Sequence, residues 1–463
     1  MQSAQKYDLT SGPIGIKLIK MSLPAMAINL TQMMYSFVDM AWLGRLSSAA
    51  VASAGVIGTL GWLAMTLQLF GSTGAQIGVS QNIGSNGDVK GYVKASLTLS
   101  LVLGSITCLA FFFFRNGLIG FFNITDEGVK RDAITYLAIA APALGLRYLT
   151  QTAASIFNAS GNSKTPFIIT GCTLALNAVL DPIAIFTLNL GIAGASIATT
   201  VSVAIEATVM LIALKRYKHP AVSKAKFFGR IEKEKLKSIF HWAYPLALEL
   251  LIFVSCVMLV SRIVASFGYE AMATQRIGNQ IDQFSYFVAG GFSTALSAFI
   301  GQNYGAGRHD RIRRGFWIST LFMGIWGVLT TANLLLFNRL FFKLFVPNEP
   351  AVIEMGSQYL KIFSLCQMAA CLEGVGNSVF RGYGKTMTPA VSSTLTNILR
   401  VILAFTLSKT ELRQNGVWLA IAVTAFLRGA GSYLLSLFSA YPKIPQLAQE
   451  KSCEGFNADF SKP

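Results

Sequence analysis

The sequence predicts an all-α integral membrane protein: twelve transmembrane helices in two six-helix halves, a 6+6 parallel repeat around a central cavity. Three observations predict it. Of the 463 residues 53% are hydrophobic and only 13% charged, whereas a soluble chain is about 25% charged. The apolar runs are long and do not alternate, and crossing about 30 Å of hydrocarbon takes roughly 20 residues of helix. The second half of the chain also repeats the first. This composition excludes a soluble multidomain protein, a disordered chain and a coiled coil.

In order, spans are expected at 14–41, 48–78, 93–114, 130–158, 166–188, 192–214, 238–265, 271–299, 315–338, 356–380, 387–408 and 416–440. The first thirteen residues lack the pattern of a cleaved signal peptide, so span 1 is expected to be an uncleaved anchor. It contains QMMYSFVDM (32–40), where Gln32, Tyr35, Ser36 and Asp39 form one polar stripe at helical spacing. Met33 and its neighbours Met21, Met26, Met34 and Met40 crowd the same span, soft side chains that would suit apolar cations. Span 5 contains NAVLDP (177–182). Asn177 and Asp181 are four apart and share a face. Pro182 removes a backbone donor, and either frees the Ala178 carbonyl between them or stops the helix and leaves Asp181 exposed at its end. Carboxylate, amide and carbonyl together suit a proton or a small hard cation. Span 6 opens with GIAGASIATT (191–200), its small residues permitting close packing; Thr199 either reaches the same site or bonds its own backbone, and Glu206 lies two turns on. Span 7 carries Glu249, span 8 Asp282 and span 10 Glu373, with Arg262, Arg276, Arg400 and Arg428 in or near spans. Ionisable groups inside a membrane are costly unless partnered or wet, and internal ion pairs are the plain account of this second set.

The repeat supports the architecture. SLPAMAINL (22–30) pairs with AYPLALELL (243–251), SQNIGSNGD (80–88) with GQNYGAGRH (301–309), FNASGNSKTP (157–166) with FRGYGKTMTP (380–389), and GIAGASIAT (191–199) with GVWLAIAVT (416–424). Residues 1–214 therefore form an N-lobe and 238–440 a C-lobe, followed by a tail over 441–463. Six helices per half relate the lobes by an axis along the membrane normal, an arrangement suited to alternating access. The linker 215–237 carries nine Lys or Arg against two Glu, and Lys164, Arg308, Arg311, Arg313, Arg314, Arg381 and Lys385 fall on its side. That side is expected to be the cytoplasm, with both termini on it and the protein in the plasma or inner membrane.

The formal net charge of +17 reads as basic loops facing anionic lipid, not as a nucleic-acid surface. The six cysteines form no CxxC, and His219, His241 and His309 lie far apart, so no resident metal or other cofactor is expected. GYGKT (382–386) has Val379 where a phosphate loop needs glycine. No nucleophile–base set stands at plausible spacing, so an enzyme is not expected.

FVDMAWLGRLSSAAVASAGV (37–56), NAVLDP (177–182), GIAGASIAT (191–199) and GQNYGAG (301–307) resemble the multidrug and toxic compound extrusion family, over almost the whole chain. The resemblance implies a secondary active antiporter exporting cationic or amphipathic small molecules in exchange for H⁺ or Na⁺; a monomer is expected. In the prokaryotic DinF-like branch it implies an N-lobe coupling site at Gln32, Asp39, Asn177, Asp181 and Thr199, with Na⁺ a candidate at Asp39, Asn177 and Asp181. The branch built around C-lobe acids points instead to Glu249 and Glu373. The alternative function is a related flippase of lipid-linked oligosaccharide, whose cavity should be basic where this stripe is acidic. A channel is a further rival.

Overall fold

The computed structural model describes residues 8–122, 124 and 126–439; the side chains at 35–37, 41, 44, 48, 49, 51, 52 and 439 lie outside that description. The described residues form helices and no strands. The N-lobe holds α1 (Ile14–Leu46), α2 (Ser48–Gly74), α3 (Val89–Phe113), α4 (Glu127–Ala159), α5 (Lys164–Pro182) and α6 (Gly191–Lys215). The C-lobe holds α7 (Lys233–Ala265), α8 (Tyr269–Gly305), α9 (His309–Phe345), α10 (Pro350–Tyr383), α11 (Met387–Leu407) and α12 (Arg413–Ser439). Each corresponds to one expected span, most with an added turn or two beyond it. α2 runs on through a π-helical turn, Ala75–Val79, into Ser80–Gly84, and α5 through Pro182 into a second π turn, Ile183–Thr187.

Among the described residues, eleven helices are long and apolar enough to cross a membrane. The remaining long helix, α10, carries Gln358, Gln367, Glu373 and Asn377 along its length. It is sheathed by α8, α9 and α12, so protein rather than lipid meets its polar groups.

The lobes repeat in packing as in sequence. α4 is the hub of the first, touching α2, α3 and α6; α10 is the hub of the second, touching α8, α9 and α12. α5 packs on α6 and α1, as α11 packs on α12 and α7. The lobes meet where α1 lies along α8 and α2 along α7. Small residues allow the close approach: a Cβ on Gly291 of α8 would overlap the backbone of Met26 in α1.

On the side of the basic loops the lobes are sealed by a reciprocal pair of hydrogen bonds. Gln81 Nε2, at the end of the α2 path, donates to the carbonyl of Gly382 at the end of α10, at 2.8 Å. Gln302 Nε2, near the end of α8, donates to the carbonyl of Ala159 at the end of α4, also at 2.8 Å. Beside them, a Cβ on Gly84 would overlap the carbonyl oxygen of Gln302, and a Cβ on Gly305 that of Gln81. The chain before α1 lies over this seal. Leu9 N donates to Gln302 Oε1 at 3.1 Å, and Arg311 donates to the carbonyls of Gly12 (3.0 Å) and Ser11 (3.1 Å).

Candidate functional site

The site forms where α1, α4, α5 and α6 converge inside the N-lobe. Asn177 and Asp181, one turn apart on α5, meet as the spacing predicts: Asn177 Nδ2 donates to Asp181 Oδ1 at 3.2 Å, with the two side chains 2% and 0% exposed. Pro182 does not stop the chain. The helix passes it into the π turn, which keeps Asp181 inside the lobe instead of exposing it at a helix end.

A cavity of about 210 Å³ opens beside the pair, lined by Gln32, Arg147, Asn177, Thr199, Ser202 and Glu206 among others. Three residues expected from sequence, Gln32, Asn177 and Thr199, are thus brought together from three helices. Asp39 is half-buried on α1, close enough to Asp181 and Arg147 for their charges to act on it. Further along α1, the Arg45 guanidinium lies over the Trp42 ring, 4.9 Å from the centroid. Met33 is half-buried on α1, and the side chains of Tyr35 and Ser36 lie outside the described residues. Glu206 accepts from Thr170 Oγ1 at 2.8 Å on the cavity wall.

Three buried carboxylate or amide oxygens in this group have no hydrogen-bond partner: Asp39 Oδ1, Asn177 Oδ1 and Asp181 Oδ2. Oxygen acceptors left unmet in a lobe interior are costly, and they suit a proton or a hard cation carried as cargo. Arg147 was not anticipated from sequence. It lies within an apolar run, and the rule that flagged Asp39 applies to it equally.

The C-lobe acids fare differently. Glu373 is locked to Arg428, whose Nε stands 2.9 Å from Oε1, both side chains 12% exposed. Glu249 lies nearby, bonded to Ser393 and within reach of the charges of Arg381, Glu373 and Arg428. Arg400 stands where the repeat would put an acid. Its Nε donates to Thr424 Oγ1 at 3.1 Å, beside the buried Asn397. Asp282 is buried on the far side of α10, where Gln367 Nε2 donates to its Oδ1.

Residues 24–183 and 245–406 match the MatE family, one copy in each lobe. The chain is 27% identical over 448 residues to a probable multidrug resistance protein NorM of Thermotoga maritima, covering 94% of this chain and 95% of the relative. It is 24% identical to an FAD transporter of Shewanella oneidensis, covering 93% and 96%. Its fold superimposes with a TM-score of 0.87 on an outward-facing multidrug resistance MATE family transporter of the MOP superfamily, at 19% identity over 94% of this chain and 98% of that one. Two matched halves, a shared hub-helix architecture and full-length relatives together make this chain a member of the MatE family, the multidrug and toxic compound extrusion transporters.

Proposed function

We propose that the chain is an ion-coupled efflux antiporter of the cell membrane that exports cationic or amphipathic compounds in exchange for H⁺ or Na⁺, with both termini cytoplasmic. Asp39, Asn177, Asp181 and Thr199 form the coupling site, and Gln32 with the α1 stripe borders the drug path. The observation that carries this reading is the trio of unpartnered buried oxygens on Asp39, Asn177 and Asp181. The ion enters from outside and satisfies them. Its arrival changes the charge facing Arg147, which favours rearrangement of α1 and release of drug outward.

The C-lobe alternative is weaker because Glu373 already has a cation in Arg428. A pyrophosphate flippase is disfavoured by two carboxylates in the N-lobe site. The test is drug-induced ion flux in proteoliposomes under separate pH and Na⁺ gradients. Asp39→Asn and Asp181→Asn are expected to abolish coupled flux, and Glu249→Gln to keep it. Loss of coupling confined to the Glu249 variant would move the site to the C-lobe.

A further inference from the structure

A second cavity lies away from this site. It occupies about 390 Å³ between α8, α9 and α10, within the roughly 300–1,000 Å³ range of small-molecule pockets. Its floor is Asp282 and Gln367, which are 7% and 0% exposed. Its walls include Phe284 and Trp326, whose ring centroids are 6.3 Å apart. At the mouth, Phe284 and Leu329 are 46% and 54% exposed. On a membrane-crossing bundle such apolar side chains face lipid.

The polar groups on the floor are incompletely matched. Gln367 uses its amide N–H on Asp282, while its buried Oε1 has no partner, and neither has the indole Nε1 of Trp326. Among the described residues Asp282 makes no salt bridge, in contrast to Glu373 of α10. A carboxylate and an amide oxygen together ask for a donor carrying positive charge. Two aromatic walls add cation–π attraction and apolar contact for the body behind that charge. Asp282 lies thirteen residues into α8, about 20 Å from its start at a rise of 1.5 Å per residue. A ligand reaches it from within the bilayer, not from water.

We propose that this lateral cavity binds a protonated amphiphilic amine taken from the membrane, its ammonium held by Asp282 and Gln367 and its apolar body lying between Phe284, Trp326 and Leu329. The site is separate from the coupling residues in the N-lobe.

The experiment uses the full chain in phosphatidylcholine nanodiscs and dansylcadaverine, a primary amine with a fluorescent aromatic body. The signal is the part of the tryptophan-to-dansyl energy transfer that Trp326→Phe removes. Saturable transfer is expected. Asp282→Asn should weaken it at least tenfold, and the matching dansyl alcohol, which has no ammonium, should bind wild type at least tenfold more weakly. Asp39→Asn should leave the signal in place, so failure of the coupling reading and failure of this one are distinguishable. Absence of a Trp326-dependent signal, equal binding of amine and alcohol, or loss of the signal in Asp39→Asn alone would overturn the proposal. The alcohol comparison does not use the Asp282 variant and decides the matter even if Asp282→Asn does not fold.

Discussion

Asp39, Asn177 and Asp181 each bury an oxygen without a partner. Asn in place of Asp39 keeps the shape and cannot ionise. Asp39→Asn should therefore fold, measured as an unchanged monodisperse size-exclusion profile, and confer no drug resistance at equal expression. Glu373 gives the opposite expectation. Glu373→Gln leaves Arg428 buried without its counter-charge, so it should cost about 3–5 kcal/mol, read as a fall in melting temperature before any change in which drugs are exported. Outside the membrane, burial is the main influence on His219 and holds its pKa below the ordinary 6.5, against an opposing pull from Asp8. The unfolded chain thus takes up the proton first, and stability contributed by neutral His219 is lost as pH falls below about 6.5. Hydrogen-exchange protection over 217–225, taken relative to the intrinsic rate at each pH, should fall between pH 7.5 and 5.5, and His219→Gln should flatten that response. The Asn177–Asp181 pair was legible in the sequence because one helical turn places the two side chains together. The approach of Arg147 to Asp39 was not, since it depends on how α4 meets α1. Nor was the Asp282–Gln367 pair, because a glutamine inside a span carries no charge to draw attention to it.

At the level of helices, the apolar runs and their repeated motifs marked twelve segments in two sets. By composition α10 is the least apolar of them, and its polar groups are shielded by its neighbours. The π turns after Gly74 and after Pro182 were likewise hidden, because a one-residue widening of a helix leaves no mark on apolar periodicity. The glycines of SQNIG and GQNYG were legible as a repeat, and their purpose emerges only from the packing. Neither has room for a methyl group, each being pressed against a glutamine carbonyl of the opposite lobe. Gly84→Ala or Gly305→Ala should force the lobes apart on the basic-loop side, at a cost of about 1–3 kcal/mol to the sealed form. Spin-label distances between cysteines placed at 85 and 384 should lengthen in either variant. Unchanged distances would mean that the crossing helices absorb the methyl locally.

For the molecule as a whole, the charge pattern predicts one wet, basic face. A single cysteine at position 224, in a background lacking the native cysteines, should resist an impermeant maleimide added outside intact cells and react once the cells are opened. Ready labelling from outside would invert the topology. The twofold seal on that face has a consequence for opening. Gln81 and Gln302 are counterparts in the repeat, and each grips the other lobe at the matching helix end. A rigid rotation of one lobe about the pseudo-axis strains both grips at once, and the Gln302 side carries a further tie from Leu9 N to its Oε1. The seal behaves as a latch with two teeth on one shaft, one of them held by a strap from the segment before α1.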